Sequence, residues 1–376
     1  MQRKLLLLLS LGWIFNYAHR MAIPPLIPLI KEELAITNAQ AGLLMTSLLL
    51  PYALIQVPAG YFGDKLGRKK LVVISIVGYS LASSLIIFAR QYWHLIAIRA
   101  LYGVFAGLYY APATALISEI YREKKGSALG VFMVGPPIGS AIAPAIVIPI
   151  ALALEWRYSF LVLSLMSLTV GLALMLIIKG EVKQVERPKF TVPKEVFSLS
   201  VMNFIVLAAF FGMLTFLPDF FVNKGRSVEE ASFYFSLLSI VGIFGSIAGG
   251  GVYDRIRETS LFSVLALNAF LSFLLVKTAY PLLVLLLGLF FYSVGPIVTA
   301  YTSEHASEEN LGTVMGFVNM MGFLGATAGP YFIGLLIDTA GYEIAFYLIS
   351  GMYLGGLLTL LFGRTAPVFK VKNGGK

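Results

Sequence analysis

From end to end the chain is a succession of apolar runs, each long enough to cross a bilayer and separated from the next by a short polar break. A helix needs ~20 mostly apolar residues to cross ~30 Å of hydrocarbon. Cutting at the breaks gives twelve segments: 5–30, 38–62, 70–89, 92–119, 127–153 and 157–178, then 197–222, 229–252, 260–277, 281–303, 311–337 and 342–363. In lipid every backbone N–H and C=O must be satisfied within the segment, so these runs specify helices. Charged residues are 12% of the chain, about half the share of a soluble domain, which argues against a water-soluble enzyme. With no cysteine, disulfides and thiolate–metal sites are excluded, and the three histidines, His19, His94 and His305, lie far apart. No metal or cofactor is expected. No nucleotide signature and no nucleophile–base pair is visible, so the sequence does not read as an enzyme.

The formal charge is +9, yet the basic residues sit in the short loops, a pattern of topology and not of nucleic-acid binding. Of the 28 Lys and Arg, 20 fall on the side that would carry both termini and six on the other; Arg20 and Arg99 lie inside segments. That bias places both termini in the cytoplasm of a multi-pass cell-membrane protein. Met1–Phe15 has the basic start and leucine run of a secretory signal. Keeping it as the first helix makes two halves of six segments each, and it is read that way.

The halves repeat. Gly60-Tyr-Phe-Gly-Asp64-Lys65-Leu-Gly67-Arg68 joins the second and third segments, and Gly250-Gly-Val-Tyr-Asp254-Arg255-Ile-Arg257 stands at the matching place in the second half. Gly135-Pro136 likewise answers Gly329-Pro330. Such repeats mark secondary transporters, with a site between the halves near the bilayer midplane. Glycines at 60 and 67 permit close helix approach and a tight turn. Asp64 suits the positive N-terminal end of a helix in the other half, and Lys65 and Arg68 suit Glu119 or Glu123. Such contacts are expected only when the cytoplasmic side is closed.

On these residues the chain resembles the major facilitator superfamily. The first loop matches its G-x-x-x-D-[RK]-x-G-[RK]-[RK] signature throughout, Arg99-Ala-Leu-Tyr-Gly103 is similar to its R-x-x-x-G element, and Gly135-Pro-Pro-Ile-Gly139-Ser140 resembles part of its G-P-x-x-G-G element. The resemblance implies an all-α integral membrane protein of twelve transmembrane helices in two six-helix bundles, residues 1–178 and 197–364, with a cytoplasmic linker 179–196 and a tail 365–376. It also implies alternating access and, as usual in the family, a monomer.

An ionisable side chain deep in a span costs about 2.5–3.5 kcal/mol on insertion scales, so each needs a reason. Asn16, His19 and Arg20 are three or four apart and are expected on one face of the first helix. Arg99 lies at similar depth, with Tyr110 farther along its stripe. No acid occurs mid-span in the first half, so Arg20 and Arg99 lack an obvious partner, and a planar guanidinium fork suits a carboxylate or phosphate. The alternatives are that Arg99 braces helix carbonyls and that Arg20 pairs with Asp219 as an outer gate. His19 is either a packing residue or a proton carrier, since histidine titrates near neutrality. Gln56, Tyr292 and Asn319 add neutral polar groups for a substrate, or for bonds between helices. The segment Asn16-Tyr17-x-x-Arg20 is also similar to that of the superfamily's organic-anion symporters, where an aspartate often precedes the arginine in place of His19.

The expectation is a secondary transporter in the lipid bilayer that moves a small organic anion, a carboxylate, with protons. The competing readings are a proton-coupled efflux antiporter for drugs or metabolites and, more distantly, a receptor that binds its ligand without moving it.

Overall fold

The computed structural model describes residues 2–121, 125–177, 194–305 and 311–365. The helices are α1 Gln2–Met21, α2 Ile23–Leu34, α3 Asn38–Leu66, α4 Arg68–Ser84, α5 Tyr92–Gly107, α6 Tyr110–Ile120, α7 Lys125–Met133, α8 Gly135–Ala153 and α9 Trp156–Ile177, then α10 Lys194–Asn223, α11 Val228–Ile256, α12 Glu258–Thr278, α13 Leu283–His305 and α14 Leu311–Thr365. No strand occurs among the described residues. They form eleven candidate membrane-crossing segments. The last, Val314–Leu361, is 48 residues long and contains Gly341 at φ 83°, ψ 168°, where two helices meet.

Several helices outrun the apolar segments that announce them. α3 continues through Asp64 and Lys65 to Leu66, and α11 reaches Ile256. A helix satisfies its own backbone bonds, so it can continue beyond the hydrocarbon. Capping boxes fix two starts: Thr37 with Gln40 opens α3, and Ser227 with Glu230 opens α11.

Prolines account for the interruptions. Pro24 and Pro25 lack the N–H groups that would bond the carbonyls of Arg20 and Met21, and the first segment divides there into α1 and α2. Pro112 withholds a partner from Leu108, where α5 ends. Pro136 and Pro137 open α8 after the break at Val134.

Helix packing relies on close backbone approach. A methyl group on Gly103 would lie 2.2 Å from the Leu48 carbonyl oxygen, and one on Gly245 would lie 2.0 Å from that of Leu289. The perimeter is apolar, with Phe88, Leu176 and Ile247 exposed, while Asn16, Arg20, Ser80 and Asn268 are buried inside. This arrangement, polar within and apolar around, fits lipid as the surrounding solvent. The molecule is a multi-pass membrane protein.

The repeat seen in the sequence extends to the backbone. Gly67, between α3 and α4, has φ 92°, and Arg257, at the matching turn between α11 and α12, has φ 51°. The second half keeps the positive φ although it has lost the glycine. The Arg257 guanidinium lies 3.5 Å from Glu304, which also accepts from the Tyr253 hydroxyl at 2.5 Å, while Asp254 and Arg255 are exposed. Arg68 pairs with Glu119 at 2.6 Å. Both belong to the first half, so this pair does not depend on the two halves meeting, contrary to the expectation that it forms only on closure. The side chains of Asp64 and Lys65, the surroundings of Gly60, Glu123, residues 179–193 of the linker and residues 366–376 of the tail lie outside the described residues.

Candidate functional site

The two halves meet along α3 with α14, α8 with α11, and α2 with α10. Arg20, on the last turn of α1, is fully buried at this meeting. Its Nη2 donates to Asn16 Oδ1 at 3.2 Å, one helical turn back. Nε and Nη1 are buried with no hydrogen-bond partner. The guanidinium carbon lies 4.3 Å from the Tyr17 ring centre, 4.1 Å from that of Tyr52 and 5.9 Å from that of Phe323 in the second half. The aromatic faces partly offset the desolvation of the cation, and they leave two donors of its fork unused.

Asn16 is held in turn: its Nδ2 donates to the Ala106 carbonyl at 3.2 Å, and its own carbonyl accepts from the Tyr102 hydroxyl at 2.7 Å. Arg20 thus rests on a residue that is itself anchored to α5. Toward the face that carries the chain termini, Asn319 Nδ2 donates to Gln56 Oε1 at 3.3 Å, linking the halves, while Gln56 Nε2 is buried and unpartnered. Tyr17, Gln56, Tyr110, Tyr292 and Asn319 are half-buried, in contrast to Arg20 and Tyr52, which are buried. Tyr110 packs against Trp13 and Phe132, and Tyr292 against Phe210 and Gly242.

Arg99 is also buried, but its guanidinium is committed to the main chain. Nη1 donates to the His19 carbonyl at 3.1 Å, Nη2 to that of Arg20 at 3.4 Å, and Nε to that of Leu44 at 3.4 Å. The Arg20 carbonyl is the one that Pro24 leaves without a helical partner. The Arg99 guanidinium thus spans the break between α1 and α2, with its donors turned to main-chain carbonyls.

His19 does not share the face of Arg20. Ser83 Oγ lies 2.9 Å from its Nδ1 and Ser167 Oγ 3.1 Å from its Nε2, so the ring points into α4 and α9. Both ring nitrogens are occupied by hydroxyls inside the first half.

The opposite end of the site is closed by polar contacts between the halves. Asp219 pairs with Lys31 at 2.8 Å and accepts from the Tyr342 hydroxyl; Arg20 does not reach it. Lys31 Nζ also donates to Asn38 Oδ1 at 2.6 Å. Asp338 accepts from the backbone N–H of Asn38 at 2.9 Å and of Ala39 at 2.8 Å, and from Asn38 Nδ2 at 2.8 Å. It is an anionic cap on the first turn of α3, donated by the other half of the chain. Below it, Thr46 Oγ1 donates to the Thr327 carbonyl at 2.6 Å, and a methyl group on Gly42 would lie 2.2 Å from the Pro330 carbonyl oxygen. The conformation is closed on the face opposite the termini.

Sequence reasoning missed Lys31, Asn38, Asp338 and Tyr342. A signal existed, since Gly334-Leu-Leu-Ile-Asp338 repeats the G-x-x-x-D spacing of Gly60–Asp64 and Gly250–Asp254.

An arginine in the seam of two similar halves, behind a polar closure, is the arrangement of a transport protein, and the comparisons agree. The family model described as Major Facilitator Superfamily matches residues 9–330 and 282–376. This chain belongs to that superfamily. It is 27% identical over 396 residues to the hexuronate transporter of Bacillus subtilis (strain 168), covering 95% of this chain and 93% of the relative. It is 26% identical to the multi-drug resistance efflux pump PmrA of Streptococcus pneumoniae serotype 4, covering 91% of this chain and 92% of the pump. A solved bacterial homolog of the human lysosomal transporter Spinster, inward-facing and occupied, shares the fold with a TM-score of 0.78 at 17% identity, over 95% of this chain and 94% of that one. The chain is a transporter and not an enzyme.

Proposed function

We propose that the protein carries a small organic carboxylate across the cell membrane by alternating access. Two six-helix bundles, residues 1–178 and 197–364, rock about the Arg20 site, with Gly341 dividing the last two of twelve spans and both termini cytoplasmic. On this reading the described conformation faces inward and the protein acts as a monomer.

The observation that carries the reading is the buried Arg20 guanidinium with Nε and Nη1 unpartnered. A carboxylate takes two parallel N–H groups from one edge of a guanidinium, Nε with Nη2 or Nη1 with Nη2. Asn16 uses only one N–H of Nη2, so each edge keeps an unpartnered donor whose burial is costly. Asn16, Gln56, Asn319 and Tyr292 would then meet the polar remainder of the substrate, and Tyr17, Tyr52 and Phe323 its apolar face. A hexuronate, an acid bearing several hydroxyls, is the kind of solute this set suits, in line with the name of the Bacillus subtilis relative. Asp219 acts as an outer gate with Lys31. The sequence raises proton coupling through His19; that residue lies behind the site, within hydrogen bonds to Ser83 and Ser167, and is not part of this proposal.

The test is a thermal-shift screen of the purified protein with carboxylates, phosphates, neutral sugars and lipophilic cations. A ligand at about 100 times its dissociation constant adds roughly 2.7 kcal/mol to stability. Carboxylates should stabilise the wild type and not Arg20→Ala, with Arg20→Lys retaining only part of the effect because the charge stays and the fork goes. Stabilisation by lipophilic cations alone, unaffected at Arg20, would replace this reading with the efflux one.

A further inference from the structure

We infer that the carrier is an anion exchanger: it crosses between its two states readily with a carboxylate on Arg20 and slowly with the site empty. The inference rests on the carboxylate reading and adds to it the mode of transport.

The reasoning is one of charge. Arginine stays protonated in any protein environment, so the empty site always holds a cation. What surrounds that cation is neutral: Asn16, Tyr17, Tyr52 and Phe323. The charges elsewhere between the halves are already spent. Asp219 is matched by Lys31, and Asp338 gives its oxygens to the first turn of α3 and to Asn38. Arg99, the second buried cation, faces the carbonyls of residues 19, 20 and 44 and adds positive charge behind Arg20. His19 is packed between α4 and α9 by two serine hydroxyls and the rings of Tyr79 and Tyr102. Among the described residues, no carboxylate approaches Arg20 whose ionisation could balance it when the substrate leaves.

To change state the protein must pass through a form closed on both faces, in which the Arg20 guanidinium is out of reach of water. Loaded with a monocarboxylate, the Arg20 charge is balanced and one edge of its guanidinium has acceptors. Empty, it carries a bare charge and two unmet donors through the same closure. The contacts that hold the outer face shut, Lys31 with Asp219 and Asp338 with Asn38 and Ala39, must break in both cases, so they do not favour one form over the other. The loaded form therefore has the lower barrier. Only the empty form carries the uncompensated Arg20 charge through the membrane field, so net flux should respond to membrane potential and one-for-one exchange of monocarboxylates should not.

The experiment uses the full chain in liposomes with radiolabelled glucuronate outside, in three arms: unlabelled glucuronate inside, carboxylate-free buffer inside, and carboxylate-free buffer with an inward proton gradient. The first arm should run at least about tenfold faster than the other two, a barrier difference of about 1.4 kcal/mol, and should be insensitive to a potential set with potassium and valinomycin. The informative variant is Asn16→Asp. Asn16 Oδ1 already accepts from Arg20, and a carboxylate there would neutralise the empty site. The ratio of exchange to net uptake should fall toward one in that variant. If the proton-gradient arm matches or exceeds the exchange arm in the wild type, the exchanger proposal is wrong and the carboxylate reading survives. If Asn16→Asp transports with the wild-type ratio, the charge argument is wrong. Should no arm show uptake while the thermal screen also finds no carboxylate, the substrate reading fails and takes this one with it.

Discussion

Substituting Asp338 with asparagine isolates what keeps the face opposite the termini shut. The carboxylate accepts two backbone N–H groups and one amide at the start of α3. Asparagine keeps the shape and one acceptor oxygen, but it loses the charge and turns an NH2 toward one of the backbone donors. A hydrogen bond to a charged group is worth about 1.5–3 kcal/mol net, and a favourable charge at a helix terminus about 0.3–1 kcal/mol. Asp338 is partly solvated, so the lower part of that range applies. A loss of ~2 kcal/mol from the closed state alone moves the equilibrium ~30-fold toward opening. The chain contains no cysteine, so a single Thr46→Cys is a unique reporter. Thr46 lies beneath the cap, bonded across the seam to Thr327. Its labelling by a membrane-impermeant maleimide from outside should accelerate ~30-fold in Asp338→Asn, as the open fraction grows. A rate within about twofold of the wild type would mean that the cap contributes little and that the packing of α3 on α14 holds the face closed by itself.

Arg99→Gln should lower the melting temperature by leaving the carbonyls of residues 19 and 20 buried without donors, at about 1–3 kcal/mol per group. Adding Pro24→Ala restores an N–H within reach of the Arg20 carbonyl, and the double variant should regain part of the loss, measured by thermal melting in detergent. Gly245→Ala would place a methyl group 2.0 Å from the Leu289 carbonyl oxygen, forcing α11 from α13. Such overpacking costs about 1–3 kcal/mol, and a wild-type melting curve for that variant would disprove the contact.

Much of the fold follows from period and punctuation alone. Segment positions follow from the length of the apolar runs, and the interruption before Pro24 and the turn at Gly67 follow from residues that can do little else. The neighbourhood of Asn16 and Arg20 was legible because i and i+4 stack on a helix. Grouping His19 with them was an error of angle: adjacent residues stand ~100° apart on a helix of 3.6 residues per turn, so His19 and Arg20 serve different neighbours. The role of Arg99 depends on prolines in a different helix, which spacing within its own segment cannot reveal. Lys31, Asp338 and Tyr342 were missed because their partners lie hundreds of positions away, in the half that only the fold brings near. Arg257 is the converse case, a positive-φ turn at the position matching Gly67 that its residue type gives no reason to expect.

The seam between α3 and α14 is pinned by Asp338 on Asn38 at one end, by Thr46 on Thr327 below it and by Asn319 on Gln56 farther down. Eighteen residues separate Asn38 from Gln56, a lever arm of ~27 Å at ~1.5 Å per residue. If the lowest contact serves as the fulcrum, a rotation of ~20° parts the uppermost one by ~9 Å over that arm, enough to admit a sugar acid. A swing of that size needs no bending of either helix. Its axis would run through the polar pair nearest the substrate, so whatever occupies the site presses directly on the pivot.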